Sequence, residues 1–128
     1  PAKSPDEAGI FKPASDVTVV DNKLYVSEED SMDREVNSEG YVSIWDITTR
    51  DAPKFLKRLG PRNGLPDDFG LGHELYRTLD GRYVYTQDWN AGYLVKIDTS
   101  SDSVVKVFSK GQTGWHMPHG GFIPGTLR

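Results

Sequence analysis

The stretch His73–Gly111, HELYRTLDGRYVYTQDWNAGYLVKIDTSSDSVVKVFSKG, decides how the rest of the chain is read. Its β-rich runs follow one another with a turn signal at each junction. His73–Leu79 is closed by Asp80-Gly81, a dipeptide suited to the positive φ angles of a tight hairpin. Arg82–Asp88 carries Tyr83, Val84, Tyr85 and Thr86, aromatic or β-branched residues that fit a pleated surface. Asn90-Ala91-Gly92 turns the chain into Tyr93–Asp98, and Thr99–Asp102 turns it again into Ser103–Ser109. Four strands in up-and-down order, joined by loops of about two to five residues, make an antiparallel meander. One such sheet exposes both faces and both edges, so its apolar side chains need a second sheet against them.

A repeat in the same chain supplies that sheet. Asp16–Val20 reads as a strand, Asp21-Asn22 as a turn, and Lys23-Leu24-Tyr25-Val26-Ser27 matches Arg82-Tyr83-Val84-Tyr85-Thr86 position for position. Gly40-Tyr41-Val42-Ser43-Ile44-Trp45-Asp46 aligns with Gly92-Tyr93-Leu94-Val95-Lys96-Ile97-Asp98, and each closing aspartate can accept backbone N–H groups of the following turn. Arg50–Pro53 turns the chain into Lys54–Gly60, whose basic residues are expected on an exposed outer edge that discourages edge-to-edge pairing. Between the second and third strands, Glu28–Glu39 holds six acidic residues against one arginine. Carboxylates in such number can hold Ca²⁺, but they lack the fixed alternation of a calcium loop, so the stretch reads as a solvated loop.

The fold class expected is therefore all-β: two complete four-stranded blades and the start of a third. Residues 1–14 are a polar lead-in segment, 15–60 the first blade, 61–72 a Gly- and Pro-rich connection and candidate functional loop, and 73–111 the second blade. Residues 112–128 are a connection and the start of a third copy, in which His119 falls where His73 fell and Phe122 where Tyr76 fell. The chain begins at Pro1 and stops inside this unit, so a piece of a larger propeller, or a propeller completed by further copies, is expected.

Composition narrows the functional classes. The formal charge of −4 over 128 residues, with both signs interspersed, offers no basic stripe for nucleic acid. No apolar run approaches the roughly twenty residues of a transmembrane helix, and no signal-peptide core is present. The absence of cysteine removes disulfides and thiolate metal sites. Thirteen glycines and eight prolines without a long amphipathic period agree with all-β structure.

Repeating four-stranded meanders are the pattern of β-propeller blades. GYVSIWDITTRDAPKFLKRLG (Gly40–Gly60) resembles LVIVD-type and WD-type propeller repeats, and LDGRYVYTQDWNAGYLVKIDTSSDSVVKVF (Leu79–Phe108) is similar to the YVTN-type blades of secreted and periplasmic propellers. The resemblance implies a ring, an extracytoplasmic location, and first strands that line an axial channel. His73 and His119 would then share a register in successive blades, with His116 beside them in WHMPHGG. Imidazoles converging without thiolates suit copper or iron. In this the chain resembles propeller oxidoreductases of the nitrous oxide reductase type, including copper-dependent thiocyanate dehydrogenases, and also the haem-binding propeller of cytochrome-cd nitrite reductases. The resemblance implies a copper site, or alternatively haem, held by His73, His116 and His119.

A second reading stands beside it. Gly72-His73 resembles the glycine–histidine pair of WD-type blades, where the histidine ties strands together, and the protein would then be a non-catalytic scaffold binding a protein or surface polymer. Asp67-Asp68 is a candidate base or ligand but reads more simply as a turn after Pro66. Glu74 is a candidate to orient His73, although strand alternation would point the two apart. Trp45, Trp89 and Trp115 read as packing between blades.

Overall fold

A computed structural model describes residues 14–28, 40–67, 69, 72–88 and 92–109, with backbone placement alone for 72, 73 and 109. The expected all-β class is what forms. Strands β1 (Ala14–Val20), β2 (Lys23–Glu28), β3 (Tyr41–Asp46) and β4 (Lys54–Leu59) make one antiparallel four-stranded sheet in chain order. Strands β5 (Gly72–Arg77), β6 (Tyr83–Asp88), β7 (Tyr93–Asp98) and β8 (Ser103–Ser109) make the other in the same order. Among the described residues no helix is long and apolar enough to cross a membrane.

The two sheets repeat down to their irregularities. Each first pair shifts register near its start, between Ala14 and Asp16 in one sheet and between Gly72 and Leu75 in the other. Each third pair shifts after its third-strand centre, at Ile44/Trp45 and at Lys96/Ile97. The extra residues in the fourth strands, Leu56 and Val105, are exposed to 48% and 49%, as expected where a bulge swings a side chain out of the ladder.

The ladders correct two details of the sequence alignment. With Asp46 set against Asp98, Lys23 corresponds to Tyr83 rather than Arg82, so Tyr25 is the counterpart of Tyr85. The one-residue difference arises in the first hairpin. Asp21-Asn22 joins Val20 to Lys23 directly, whereas Leu79–Arg82 is a four-residue loop in which Thr78 N donates to Tyr83 O at 2.9 Å. Of the Asp80-Gly81 pair only Gly81 takes a positive φ, 71°. Asp80 instead accepts from Thr78 Oγ1 at 2.7 Å and from Arg82 N at 3.0 Å, so its carboxylate organises the loop.

The sheets pack face to face and lie closest along β1 and β5, with β2 also against β5. Tyr25, Val42, Ile44 and Leu59 from the first sheet meet Leu75, Val84, Val95 and Ile97 from the second in one buried core. At about 25 cal/mol per Å² of apolar surface, this shared core is the main force joining the two units. Polar ties register it. Asp16 Oδ2 accepts from Leu75 N at 2.9 Å, Arg77 Nη1 donates to Val19 O at 3.0 Å, and Asp102 accepts from Lys23 Nζ at 2.9 Å and from Tyr25 OH at 2.6 Å.

The connection between the sheets is less loop-like than expected. Pro61–Asn63 forms a 3₁₀ turn, Asn63 Nδ2 donates to Arg58 O at 3.0 Å, and Leu65 and Phe69 are buried in the shared core. Through Leu65 and Phe69 the segment plugs the core, removing both side chains from water.

Candidate functional site

The described polar residues that are buried concentrate at one end of the sheets, where β1 and β5 begin and β2, β4 and β6 finish. Ser27, Glu28, Arg58, Glu74, Thr86, Gln87 and Asp88 are all under 4% exposed. At the opposite end the strand-closing carboxylates sit in solvated turns. Asp46 Oδ1 accepts from Thr48 N at 2.8 Å and Asp98 Oδ1 from Ser100 N at 2.8 Å, as their position at strand ends suggested.

Glu28 and Arg58 are the strongest polar contact of the buried end. Arg58 Nε donates to Glu28 Oε2 at 2.9 Å and Nη2 to Oε1 at 2.8 Å, with both side chains 1% exposed. The guanidinium carbon lies 4.0 Å from the centre of the Tyr41 ring, a cation–π contact on a residue of the strand between them. Two expectations are corrected here. Glu28 ends β2 and is buried instead of opening a solvated loop, and Arg58 is buried instead of lying on an exposed basic edge. The physical reason is mutual: two ionic groups at adjacent strand ends neutralise each other, so neither must stay in water. Lys54 does remain exposed. The remainder of the acidic stretch, 29–39, lies outside the described residues.

In the second sheet the same end is built around a bulge. His73 and Glu74 occupy the register shift of β5 opposite Gln87, and Gln87 Nε2 donates to Glu74 Oε2 at 2.7 Å. Strict alternation is therefore broken at the pair where it was invoked, and bulges of this kind re-aim side chains next to functional sites. The Ser27 Oγ, Thr86 Oγ1 and Gln87 Oε1 atoms are buried with no hydrogen-bond partner among the described residues. An unpaired buried polar atom costs about 1–3 kcal/mol, so three at one end ask for an explanation.

Of the histidines expected to bind metal, His73 is placed in β5 by its backbone, while its side chain, His116 and His119 lie outside the described residues. The third-copy residues, Asp68, Trp89 and Trp115 lie outside them as well. Among the described residues no group of three or more potential metal ligands converges. Asp67 is exposed, and Phe69 N donates to Pro66 O at 3.0 Å, closing the turn expected of Pro-Asp-Asp. Trp45 packs within its own sheet, edge-on to Phe55 at 5.4 Å, with Nε1 donating to Ser43 Oγ at 3.1 Å.

Compared with protein families, curated proteins and solved structures, the chain matches none.

Proposed function

We propose that the chain supplies two neighbouring blades of an extracytoplasmic β-propeller oxidoreductase, with His73, His116 and His119 as nitrogen ligands of copper near the ring axis. The observation that carries this reading is the clustering of buried polar groups at the end where β5 begins. There the backbone bulges at His73-Glu74, and Gln87 Oε1, Thr86 Oγ1 and Ser27 Oγ lack described partners. The residue types suit this group: imidazoles as donors and no thiolate in the chain favour copper(II). Copper would supply one-electron redox chemistry. Glu74, adjacent to His73 in the bulge and bonded by Gln87, would hold a proton or orient an imidazole. Haem is the alternative group for the same imidazoles.

Metal analysis and electron paramagnetic resonance of the natural protein test the proposal. The expected result is bound copper with nitrogen hyperfine structure, lost from folded His116→Ala and His119→Ala variants. A folded, metal-free, colourless protein that takes up no copper would sink it. The competing scaffold reading is favoured by one observation, the exposed valines of β1 at 52% for Val17 and 42% for Val19. It is supported if the histidine variants lose stability while metal content never changes.

A further inference from the structure

The segment that plugs the core carries the chain's one Asn-Gly pair, Asn63-Gly64, and the fold has a use for both residues. Asn63 closes the 3₁₀ turn with both ends of its amide: Oδ1 accepts from Gly60 N, and Nδ2 donates to Arg58 O at 3.0 Å. Gly64 has a φ of 105°, which favours glycine, and a Cβ there would lie 3.0 Å from Val104 Cβ in the second sheet. The missing side chain leaves Gly64 N unhindered beside an asparagine amide, and Gly64 is exposed to water. Leu65, the next residue, is 3% exposed in the shared core, and its N donates to Gly60 O at 3.2 Å.

We propose that Asn63 is a self-modification site, deamidated through Gly64 N and held shut by the folded turn, so that opening of the plug becomes irreversible. In the reaction Gly64 N gives up its proton and bonds to Asn63 Cγ, the Cγ–Nδ2 bond breaks, and the amide nitrogen leaves with that proton as ammonia. Water then opens the cyclic imide at either carbonyl, leaving an aspartate or an isoaspartate at this position. The net change is one water in and one ammonia out. Attack needs the face of Cγ turned onto Gly64 N, whereas the bonds to Gly60 and Arg58 fix the amide toward the preceding chain. Reaction therefore proceeds from the population in which the turn has locally opened. Neither product restores the turn. A carboxylate cannot donate to Arg58 O and sets negative charge against that carbonyl, while isoaspartate also adds a methylene to the main chain just before Gly64 and Leu65.

Incubation of the whole chain at mildly alkaline pH, with conversion of Asn63 read by peptide mapping and mass spectrometry, tests the proposal. A blocked peptide spanning Arg58–Asp67 serves as the unprotected reference. The folded chain is expected to convert at least about tenfold more slowly than the peptide, because its rate is scaled by the open fraction. Leu65→Ala, shown by circular dichroism to be folded, is expected to convert at least about threefold faster than the parent. Where that variant does not fold, urea below the unfolding transition loosens the parent instead and is expected to give the same acceleration. Asn63→Asp, which copies the unbranched product, is expected to unfold at a lower temperature than the parent. The proposal is overturned by a peptide that never converts, a folded chain that converts as fast as the peptide, or a loosened turn that changes nothing. An Asn63→Asp chain as stable as the parent overturns it too.

Discussion

Arg58 and Glu28 form a two-bond ion pair, at 2.9 and 2.8 Å, although their strands are not hydrogen-bonded neighbours. Tyr41, on the strand between, supports the guanidinium from below. Removing one charge leaves the other buried and uncompensated, so Glu28→Gln or Arg58→Met alone is expected to cost about 3–5 kcal/mol. The double replacement Glu28→Leu with Arg58→Met should recover most of that loss, since an apolar pair of similar volume has no ions to desolvate. Urea unfolding of the three variants checks this, and single variants that lose under about 1 kcal/mol would mean that water reaches the pair.

This pair also marks where sequence reading stops. Alternation, turn residues and the matching Gly-Tyr…Asp strands were enough to place both meanders, because those signals are local. Glu28 and Arg58 look like surface residues to any local rule, and only the ladder through Ser43 and Tyr41 brings them together. The one-residue offset between Lys23–Ser27 and Arg82–Thr86 was hidden for a related reason: residue similarity cannot count the residues of a hairpin loop. Leu65 and Phe69 sat in a stretch whose glycines and prolines read as loop, yet two apolar residues beside an open core fill it. Of the candidate site, the glycine- and histidine-bearing strand start was legible, whereas the polar end around Gln87 and Glu74 was not, since burial of polar side chains has no sequence period.

Gly60 lacks a side chain because Tyr41 occupies that space. A Cβ there would lie 2.7 Å from Tyr41 Cε1 and 2.8 Å from Cδ1, and the ring is held by Arg58 and cannot easily withdraw. Gly60→Ala is expected to destabilise the protein by about 1–3 kcal/mol, the usual cost of overpacking. Its φ of −148° suits any residue, so the loss should come from the contact alone. Tyr41→Leu in the same chain should then reduce the penalty of Gly60→Ala in a thermal-unfolding cycle.

The strand-closing aspartates contribute to the loss of stability in acid. Hydrogen bonds from Thr48 hold Asp46 below the ordinary carboxylate value, and those from Ser100 do the same for Asp98. A carboxylate whose folded value is depressed contributes stability above its unfolded value, near 4, and loses it as pH falls through the folded one. Asp98→Asn keeps an acceptor but cannot titrate, so thermal stability of this variant is expected to fall less steeply between about pH 5 and 2 than that of the parent. Equal slopes would show that the turn hydrogen bonds are too solvated to matter.

Asp102 joins the sheets through Tyr25 and Lys23, and the buried tyrosines contribute to the loss of stability in alkali. Burial pushes the Tyr25 hydroxyl well above its ordinary value, with the bond to Asp102 adding to the effect; burial and the charge of Glu74 push Tyr76 up to about 12. Burial raises Tyr85 too. Above about pH 10 the unfolded chain loses these protons first, so stability present below that pH declines as pH rises toward the folded values. Asp102→Ala strands the Tyr25 hydroxyl and is expected to cost about 1–3 kcal/mol at neutral pH. Tyr25→Phe in that background should cost much less than in the parent, because the hydroxyl has already lost its acceptor. Phenolate absorbance followed against pH checks the rest: the folded protein should titrate its buried tyrosines late and together with loss of circular dichroism, whereas early, reversible ionisation of all tyrosines would mean that the sheet interface is open to water.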